Sequence, residues 1–397
     1  MTPSTLNADP WRGIPTLEDL PDPRGKRVLL RADFNVPLAE VRLENGELKR
    51  VVEDDFRIRA ALPTIQWLTD AGAIVTACSH LGRPKGKPNP ALTMDPVAEV
   101  LGRLAPSVRL MENLRFDPGE EANDVSFVRK LISGQDLYVN DAFGSCHRAH
   151  ASVVGPPSFL PSAAGRLLQK EVSTFSKLLN DPQHPFVAVL GGAKVSDKIG
   201  LIRSLLERVD TLIIGGAMAF TFMAANGHEV GDSLVERDKL SEVSQLSSYS
   251  KKIVLPVDFV ALEPGGKSGG HGEVGSGSVS SFEDNIPPGW RGLDIGPRSV
   301  DNFSQYLEKA ALVFWNGPMG LFEDERFSVG TKKVGEAVAN CSGFTVVGGG
   351  DTVHALDQFG LSSRIGFVSS GGGASLELLE YGDLPGLAAL RSSKGAS

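Results

Sequence analysis

Short runs of apolar residues recur along the chain, and each run is followed directly by polar residues or glycine. The runs are residues 28–30, 73–75, 108–111, 137–139, 187–190, 212–214, 253–255, 312–314, 344–347 and 366–368. Apolar residues at helical spacing lie between them, as in residues 56–68 and 199–206. Strands without internal alternation, separated by helices, predict parallel β-sheets covered on both faces. Ligands bind beyond the carboxyl ends of such strands, so the polar and glycine residues found there are functional candidates.

Two polar stretches interrupt this α/β pattern. A chain of 397 residues is expected to form about two domains. The proline-bearing stretch 180–185 predicts their boundary, which separates an N-terminal domain of residues 1–182 from a C-terminal domain of residues 183–383. Residues 263–284 are rich in glycine and serine. Because they open no clear helix, they predict a flexible surface loop rather than a phosphate-binding loop.

Composition narrows the choice of partners and compartment. The net charge of −8 argues against nucleic acid or an anionic membrane surface as the main partner. No apolar run approaches the roughly 18 residues that span a bilayer, and the first residues lack the pattern of a signal peptide. Three scattered cysteines, Cys78, Cys146 and Cys341, favour a reducing cytosol over a disulfide framework. We therefore expect a cytoplasmic protein.

Cationic and polar side chains follow the first four predicted strands. They are Asp33, Asn35, His80, Arg83, Arg115, His147, Arg148 and His150, and Arg57 opens the helix after the first strand and its hairpin-like connection. Arginine pairs bidentately with phosphate and carboxylate, and histidine adds donors whose charge depends on pH. The set predicts a binding site for a small anion that carries a phosphate, a carboxylate and a hydroxyl. Sulfated sugars and other organic phosphates fit this inventory nearly as well.

Three glycine-rich segments follow strands in the second half of the chain: residues 191–198, 348–352 and 371–375. Small residues let the backbone approach a phosphate, and the amino terminus of a helix favours anions. Lys194 and Lys198 share one helical face. Asp351 is a candidate partner for nucleotide-bound Mg²⁺, or alternatively only a helix N-cap. Residues 316–323 are a candidate wall of a nucleoside pocket, in which Glu323 accepts from ribose hydroxyls. Neither a Walker A motif nor a GxGxxG fingerprint is present.

These segments together resemble the phosphoglycerate kinase family. The motifs that carry the resemblance are residues 31–37 (RADFNVP), 79–84 (SHLGRP), 112–116 (ENLRF), 140–150 (NDAFGSCHRAH), 191–198 (GGAKVSDK), 315–318 (WNGP), 348–352 (GGGDT) and 371–377 (GGGASLE). The resemblance implies two doubly wound, Rossmann-like domains facing each other across a hinged cleft. It also implies reversible phosphoryl transfer between Mg-ATP and the carboxylate of 3-phosphoglycerate, which gives ADP and 1,3-bisphosphoglycerate, in a monomer whose residues 384–397 pack back on the N-terminal domain.

Residue roles follow from the same resemblance. It implies that 3-phosphoglycerate contacts Asp33, Phe34, Asn35, Arg57, His80, Leu81, Gly82, Arg83, Arg115 and Arg148. It implies that the nucleotide contacts Lys194, Lys198, Gly296, Glu323, Gly349, Gly350, Asp351 and Thr352, with Asp351 also at the Mg²⁺. The expected catalytic groups are Arg57, Lys194, Gly372 and Gly373. The acceptor carboxylate is already ionised near neutral pH and needs no general base, so catalysis is expected to rest on positioning and charge neutralisation.

Two departures from the family pattern lead to further expectations. Only residues 102–109 connect Leu101 to the next strand, where the family usually has an additional strand and helix, so the first sheet is expected to be one strand smaller. Cys146 occupies a position that is usually a small residue, and its expected proximity to the cleft makes it a candidate for oxidation. Two other functions stay open: a non-catalytic nucleotide-binding or scaffold protein, and an NAD-dependent dehydrogenase, which the absent fingerprint disfavours.

Overall fold

The structure is a computed structural model that describes residues 9–44, 46–270 and 273–393, without the side chain of Ser247. Its strands are β1 (Arg27–Arg31), β2 (Leu38–Arg42), β3 (Leu48–Val52), β4 (Ile74–Cys78), β5 (Arg109–Leu110), β6 (Leu137–Asn140), β7 (Ser162–Ala164), β8 (Phe186–Leu190), β9 (Thr211–Ile214), β10 (Ile253–Val254), β11 (Asp258–Leu262), β12 (Val279–Glu283), β13 (Arg291–Ile295), β14 (Leu312–Asn316), β15 (Phe344–Gly348) and β16 (Phe367–Val368). Every apolar run predicted from the sequence coincides with or overlaps one of these strands.

Helices occupy most of the intervals between the strands. They are α1 (Phe56–Ala60), α2 (Leu62–Asp70), α3 (Asp95–Leu104), α4 (Pro118–Glu121), α5 (Val125–Leu131), α6 (Ala151–Val154), α7 (Arg166–Asn180), α8 (Ile199–Leu206), α9 (Met218–Ala225), α10 (Leu240–Ser244), α11 (Pro297–Leu307), α12 (Val329–Asn340), α13 (Gly350–Gln358), α14 (Gly373–Tyr381) and α15 (Pro385–Arg391). No helix of the described residues combines the length and the apolar character that a bilayer crossing requires. The chain forms two compact units, which divide after Asn180 and again after Glu380.

The first unit is built on a parallel sheet with the strand order β5-β4-β1-β6-β7. The central strand β1 is buried after its first residue, because helices cover both faces of the sheet. The register places Arg31, the last residue of β1, beside Cys78 and Asn140. Strand order reverses between β1 and β6, so a topological switch point lies where Arg31 ends its strand.

The second unit repeats this plan with a parallel sheet of order β10-β9-β8-β14-β15-β16. Its switch point lies between β8 and β14, where the register places Asn316 beside Leu190 and Gly348. A small antiparallel sheet of order β12-β11-β13 also belongs to this unit. The predicted doubly wound α/β fold with parallel sheets is confirmed.

Three regions add to or depart from the predicted pattern. The connection predicted to be short leads from the end of α3 into β5, a two-residue edge strand of a five-stranded sheet. The glycine- and serine-rich stretch is a surface segment, but Lys267 and Ser276 pair across it in antiparallel fashion, so part of it has regular structure. Helix α15 packs within the first unit, where the Gly386 N–H donates to the Cys146 carbonyl oxygen over 2.9 Å. Residues 394–397 of the predicted terminal segment lie outside the described residues.

Candidate functional site

The loop after β1 carries the centre of the first candidate site. The Arg57 guanidinium, on α1, lies 2.7 Å from the Asp33 carboxylate. Burial raises the pKa of Asp33, but the positive charges of Arg57 and Arg31 outweigh burial, and this pKa is lowered to about 2. Asp33 is therefore ionised at neutral pH and holds Arg57 at the switch point of the first sheet. Two predicted substrate residues, Asp33 and Arg57, are thus in direct contact with each other.

A second set of contacts fixes the loop after β4. Asn35 Oδ1 accepts a hydrogen bond of 2.8 Å from the Gly82 N–H, and Arg115 Nη1 donates to the Gly82 carbonyl oxygen over 2.8 Å. Arg115 is almost fully buried, and Glu121 lies 3.3 Å from its Nε atom. Burial and then the charge of Arg148 lower the pKa of Arg115 to about 10, so this guanidinium remains charged at neutral pH. Loops after three strands thus meet at Gly82.

The histidines of this site are neutral at neutral pH. Burial lowers the pKa of His80 well below its usual value, and the charges of Arg31 and Arg115 act in the same direction. Burial also lowers the pKa of His147, and it lowers that of His150 to about 4. The positive charge of the site therefore comes from arginine, and the histidines contribute uncharged donors and acceptors.

Sequence reasoning missed a buried network beneath this site. Arg31 Nε donates to Ser152 Oγ over 2.9 Å, and Ser152 Oγ donates to Glu120 Oε1 over 2.6 Å. Glu120 and Ser152 have no exposed surface, and Arg31 is only 1% exposed. Arg31 Nη2 also lies 3.2 Å from His80 Nδ1. The one signal in the sequence was a charged residue at the end of an otherwise apolar strand.

Other predicted substrate residues differ in what they expose. Phe34 and Leu81 pack in the hydrophobic core of the first unit, so only their backbone atoms are available to a ligand. Arg83 is exposed, and Arg148 is half-buried with its Nε atom donating to His147 Nε2 over 3.0 Å. Arg83 and Arg148 therefore present guanidinium groups that a small anion can reach.

In the second unit, Lys198 lies at the switch point between β8 and β14. Its ammonium donates to the Gly191 carbonyl oxygen over 2.7 Å, to Asn316 Oδ1 over 2.6 Å and to the Asn316 carbonyl oxygen over 3.2 Å. Burial lowers the pKa of Lys198 to about 8, against the opposing charge of Asp351. A cation is therefore held at the crevice where doubly wound sheets bind ligands.

The segment 191–198 differs from its prediction as a helix-opening phosphate loop. Helix α8 begins only at Ile199, and the N–H groups of Gly191 and Gly192 donate to carbonyl oxygens of Asn316 and Pro318. The N–H groups of residues 195 and 196 donate to the Glu236 carboxylate, a residue that sequence reasoning missed because it lies far along the chain. The segment leads into the helix with Lys198 as its N-cap, but the prediction that Lys194 and Lys198 share a helical face is wrong, and these N–H groups are satisfied within the protein.

The two other glycine clusters are more open. Gly350 and Gly372 have empty space where a side chain would begin, and Gly372 has a φ of +52°. Helix α13 begins at Gly350 with Gly349 as its N-cap, so Asp351 lies in the first turn and the alternative N-cap role for Asp351 is wrong. Helix α14 begins at Gly373. The first turn of a helix leaves N–H groups without an intrahelical acceptor, and these suit an anion.

A cavity of about 550 Å³ adjoins these segments. It is lined by Gly192, Ala193, Gly216, Ala217, Asp232, Leu234, Arg291, Gly292, Leu293, Pro318, Gly320, Leu321, Glu323 and Asp351. Glu323 and Asp351 thus share one cavity. No group of three potential metal-ligating side chains occurs among residues 9–44, 46–270 and 273–393. One carboxylate is nevertheless enough for Mg²⁺ that arrives on a nucleotide, because phosphates and water complete its coordination.

Three other predicted nucleotide residues lie outside the described lining of the cavity. Gly296 caps α11 and lies against Asp258, and it is absent from the described lining of the cavity. Thr352 is fully buried, and its Oγ1 atom accepts from the Gly317 N–H over 2.6 Å. Lys194 is exposed to solvent. Thr352 therefore fixes the loop after β14, and Lys194 is free to reach a ligand.

Comparisons with known proteins agree along nearly the whole chain. A sequence model of the family described as phosphoglycerate kinase matches residues 17–109 and 104–382, in two segments that meet at the short connection into β5. Phosphoglycerate kinase of Moorella thermoacetica is 50% identical, with 94% of this chain and 98% of that protein aligned. The Rubrobacter xylanophilus enzyme of the same name is 48% identical over 92% and 96% of the two chains.

Solved structures give the same result. The structure of phosphoglycerate kinase from Coxiella burnetii has a TM-score of 0.83 and 35% identity, covering 95% of this chain and 98% of that one. The structure from Pyrococcus horikoshii has a TM-score of 0.78 at 29% identity, over 96% and 99% of the two chains. The chain therefore belongs to the phosphoglycerate kinase family of phosphotransferases.

Proposed function

We propose that this chain transfers a phosphoryl group reversibly between Mg-ATP and the carboxylate of 3-phosphoglycerate, as a step of glycolysis and gluconeogenesis. The observation that carries the proposal is the complementary chemistry of the two switch points. The first sheet has an arginine-rich site around Asp33, and the second has a glycine-rich crevice around Lys198. We assign the first unit to 3-phosphoglycerate and the second to the nucleotide.

The proposed acceptor site uses the charges of four arginines. Arg57, Arg83, Arg115 and Arg148 match a ligand that carries a phosphate and a carboxylate. The Asp33 carboxylate is ionised and accepts a hydrogen bond from the ligand hydroxyl. Neutral histidines next to these arginines add hydrogen bonds without increasing the repulsion among the cations.

The proposed nucleotide site uses the open helix starts and the cavity beside them. The first turns of α13 and α14 bind the phosphates through N–H groups, and Lys194 and Lys198 neutralise their charge. Glu323 accepts from the ribose hydroxyls inside the cavity. Asp351 holds the Mg²⁺ that the nucleotide brings, and bound Mg²⁺ supplies charge neutralisation at the phosphates.

Catalysis then rests on position and charge. The acceptor carboxylate attacks in its ionised form, so no side chain has to remove a proton. Arg57 and Lys194, with the N–H groups of Gly372 and Gly373, stabilise the charge that spreads over the transferring phosphoryl group. Each substrate binds to a different unit, so we propose that a hinged cleft closes to bring them together and to exclude water.

We also propose a cytoplasmic monomer. The support for the compartment is that Cys78, Cys146 and Cys341 are all free thiols, which suits a reducing environment. The support for a monomer is that each proposed substrate site uses side chains from a single copy of the chain. Light scattering on the purified protein tests the oligomeric state, and a dimer mass would overturn the second proposal.

A coupled assay for ADP formation tests the proposed reaction. ADP should form from ATP only when 3-phosphoglycerate and Mg²⁺ are both present, and glycerate, which lacks the phosphate, should not replace 3-phosphoglycerate. Nucleotide binding without turnover would favour a non-catalytic scaffold. Reduction of NAD coupled to the oxidation of an added hydroxy acid would favour a dehydrogenase.

A further inference from the structure

The connection between β11 and β12 lies against the proposed nucleotide site. Residues 263–270 and 273–278 extend these strands as the two arms of a hairpin, in which Lys267 pairs with Ser276 and Gly270 pairs with Glu273. The base of the hairpin is closed by the Ser278 N–H, which donates to Glu263 Oε1 over 2.8 Å. The two arms of this glycine-rich segment are thus held together by backbone pairing. The proposed reaction assigns no role to them.

Arg326 joins both arms of this hairpin to the chain that follows the cavity. Its guanidinium donates to the Lys267 carbonyl oxygen over 3.0 Å and to the Gly277 carbonyl oxygen over 3.1 Å. The same guanidinium binds the Asp324 carboxylate through two nitrogens, at 3.0 and 2.7 Å. Asp324 Oδ2 also accepts from the Gly269 N–H over 2.6 Å. One arginine–aspartate pair therefore fixes the hairpin to residue 324.

The pair is sheltered from water. Asp324 is 5% exposed, and the Arg326 side chain is 26% exposed. The Arg326 guanidinium carbon lies 5.3 Å from the centre of the Phe327 ring. Hydrogen bonds from Arg326, opposed by burial, lower the pKa of Asp324 to about 2, so the pair stays charged over the whole physiological range. A sheltered bidentate pair is a rigid anchor, unlike an ion pair in open solvent.

Glu323, directly before this anchor, lines the cavity. Gly270 of the hairpin lies so close to it that an added Cβ atom would be 2.9 Å from Glu323 Cβ, and Gly270 also has a φ of +107°. Within the described residues no side chain holds the Glu323 carboxylate by a hydrogen bond. Its position is therefore set by its backbone and by the hairpin packed against it.

We propose that Arg326 is a positioning residue for nucleotide binding, which holds Glu323 toward the ribose through Asp324 and the two hairpin arms, residues 263–270 and 273–278. The inference rests on the proposed function, because it takes Glu323 as the acceptor for the ribose hydroxyls. Arg326 itself touches no substrate. Its effect should therefore depend on two things: the presence of the Glu323 carboxylate and the presence of ribose hydroxyls on the nucleotide.

The test measures the dissociation constants of ADP, 2′-deoxy-ADP and 3′-deoxy-ADP by calorimetry on the full chain. Arg326→Ala should weaken ADP binding about tenfold, which corresponds to the loss of one well-placed hydrogen bond. The same substitution should weaken the binding of at least one deoxy analogue by less than about twofold, because that analogue lacks the hydroxyl that donates to Glu323. In a Glu323→Ala background, Arg326→Ala should have no further effect on ADP. Arg326→Lys should recover part of the affinity, and the KM for 3-phosphoglycerate should not change.

Two further variants keep the test decisive. Gly270→Ala leaves Arg326 intact but crowds Glu323, so it should weaken ADP binding more than the binding of at least one deoxy analogue. This variant tests the inference even if Arg326→Ala folds poorly. Arg203→Ala is the matched control, since exposed Arg203 lies on α8 of the same unit and pairs with half-buried Glu242 at 3.4 Å. It should leave all three dissociation constants unchanged.

The outcomes separate this inference from the proposed function. If Glu323→Ala leaves ADP affinity unchanged, the ribose role of Glu323 is wrong and the inference falls with it. If Glu323→Ala weakens ADP but Arg326→Ala and Gly270→Ala do not, only the inference is overturned. Equal weakening of ADP and both deoxy analogues by Arg326→Ala would show a general structural role and would also overturn it.

Discussion

Lys198 Nζ lies 2.6 Å from Asn316 Oδ1 and 2.7 Å from the Gly191 carbonyl oxygen, so one ammonium group joins the ends of β8 and β14. All three of its N–H bonds have acceptors in the protein. These acceptors are uncharged, and no carboxylate among the described residues forms an ion pair with this ammonium. Burial lowers the pKa of Lys198 to about 8, which brings its titration close to neutral pH.

The affinity for ADP should therefore depend on pH above about 8. Phosphate favours the charged lysine, so the pKa of Lys198 should be higher in the complex than in the free protein. Affinity should then be constant below about pH 8 and fall as pH rises, by up to about tenfold per unit. Calorimetry between pH 7 and 9.5 checks this, and Lys198→Arg, which cannot lose its proton, should show a flat profile. A flat wild-type profile would refute the role of Lys198 as a titrating phosphate ligand.

Arg57→Ala should abolish turnover and leave ADP binding intact. The substitution removes the guanidinium that lies 2.7 Å from Asp33 and leaves that buried carboxylate without its partner. We expect kcat to fall by at least about a hundredfold, the usual cost of removing a group that stabilises a transition state. Arg59→Ala is the matched control, because Arg59 lies on the same helix and forms an ion pair with Asp55 near the surface. Substantial residual turnover of Arg57→Ala would exclude a catalytic role.

The sequence predicted the strands and the residues at their ends better than it predicted contacts between residues far apart in the chain. The parallel strands were predictable because they are buried on both faces, which produces continuous apolar runs. Strand β7 was missed because its residues, Ser162–Ala164, are buried but small. The motif residues followed from their positions at strand ends. Ser152 and Glu236 did not, because each acts on a partner 32 or more positions away, and no local spacing encodes such a contact.

Glu120→Gln should destabilise the first unit and weaken 3-phosphoglycerate binding. The fully buried Glu120 carboxylate accepts from the Ser152 N–H at 2.9 Å and from Ser152 Oγ at 2.6 Å. An amide can accept only one of these bonds well, and it removes a buried negative charge that is linked to Arg31 through Ser152. We expect a loss of about 1–3 kcal/mol in the free energy of unfolding, the cost of an unsatisfied buried group.

Urea denaturation followed by circular dichroism measures that loss, and calorimetry measures the binding. Glu99→Gln is a suitable control, since Glu99 belongs to the same unit and its ion pairs with Lys49 and Arg103 are exposed. It should change the unfolding free energy by less than about 0.5 kcal/mol. Equal losses of unfolding free energy in the two variants would show that the buried hydrogen bonds of Glu120 contribute no more to stability than an exposed ion pair.

Asp351→Asn should reduce the dependence of ADP binding on Mg²⁺. Asp351 lies in the first turn of α13 and lines the cavity, where its carboxylate can join the coordination of a nucleotide-bound cation. Affinity for ADP in excess Mg²⁺ should fall about tenfold, while affinity in the presence of a chelator should change little. Asp357→Asn, at the other end of the same helix, is the control. If Asp351→Asn weakens ADP binding equally in excess Mg²⁺ and in the presence of the chelator, Asp351 does not act through the metal.

Cys146 should resist oxidation, contrary to the expectation from its place in the motif. The thiol is fully buried, its Sγ atom donates to the Ala142 carbonyl oxygen over 3.4 Å, and burial raises its pKa to about 12. Reaction requires an accessible thiolate, and this site offers neither access nor the ionised form. Cys78 is buried with a pKa of about 12 as well, so half-buried Cys341 should be the thiol that reacts in the native protein.

Titration with a disulfide reagent should label at most one thiol before unfolding and all three in urea, and Cys341→Ser should abolish the native reaction without loss of activity. Rapid native labelling of Cys146, identified by mass spectrometry and accompanied by inactivation, would show instead that the packing of α15 over it opens easily.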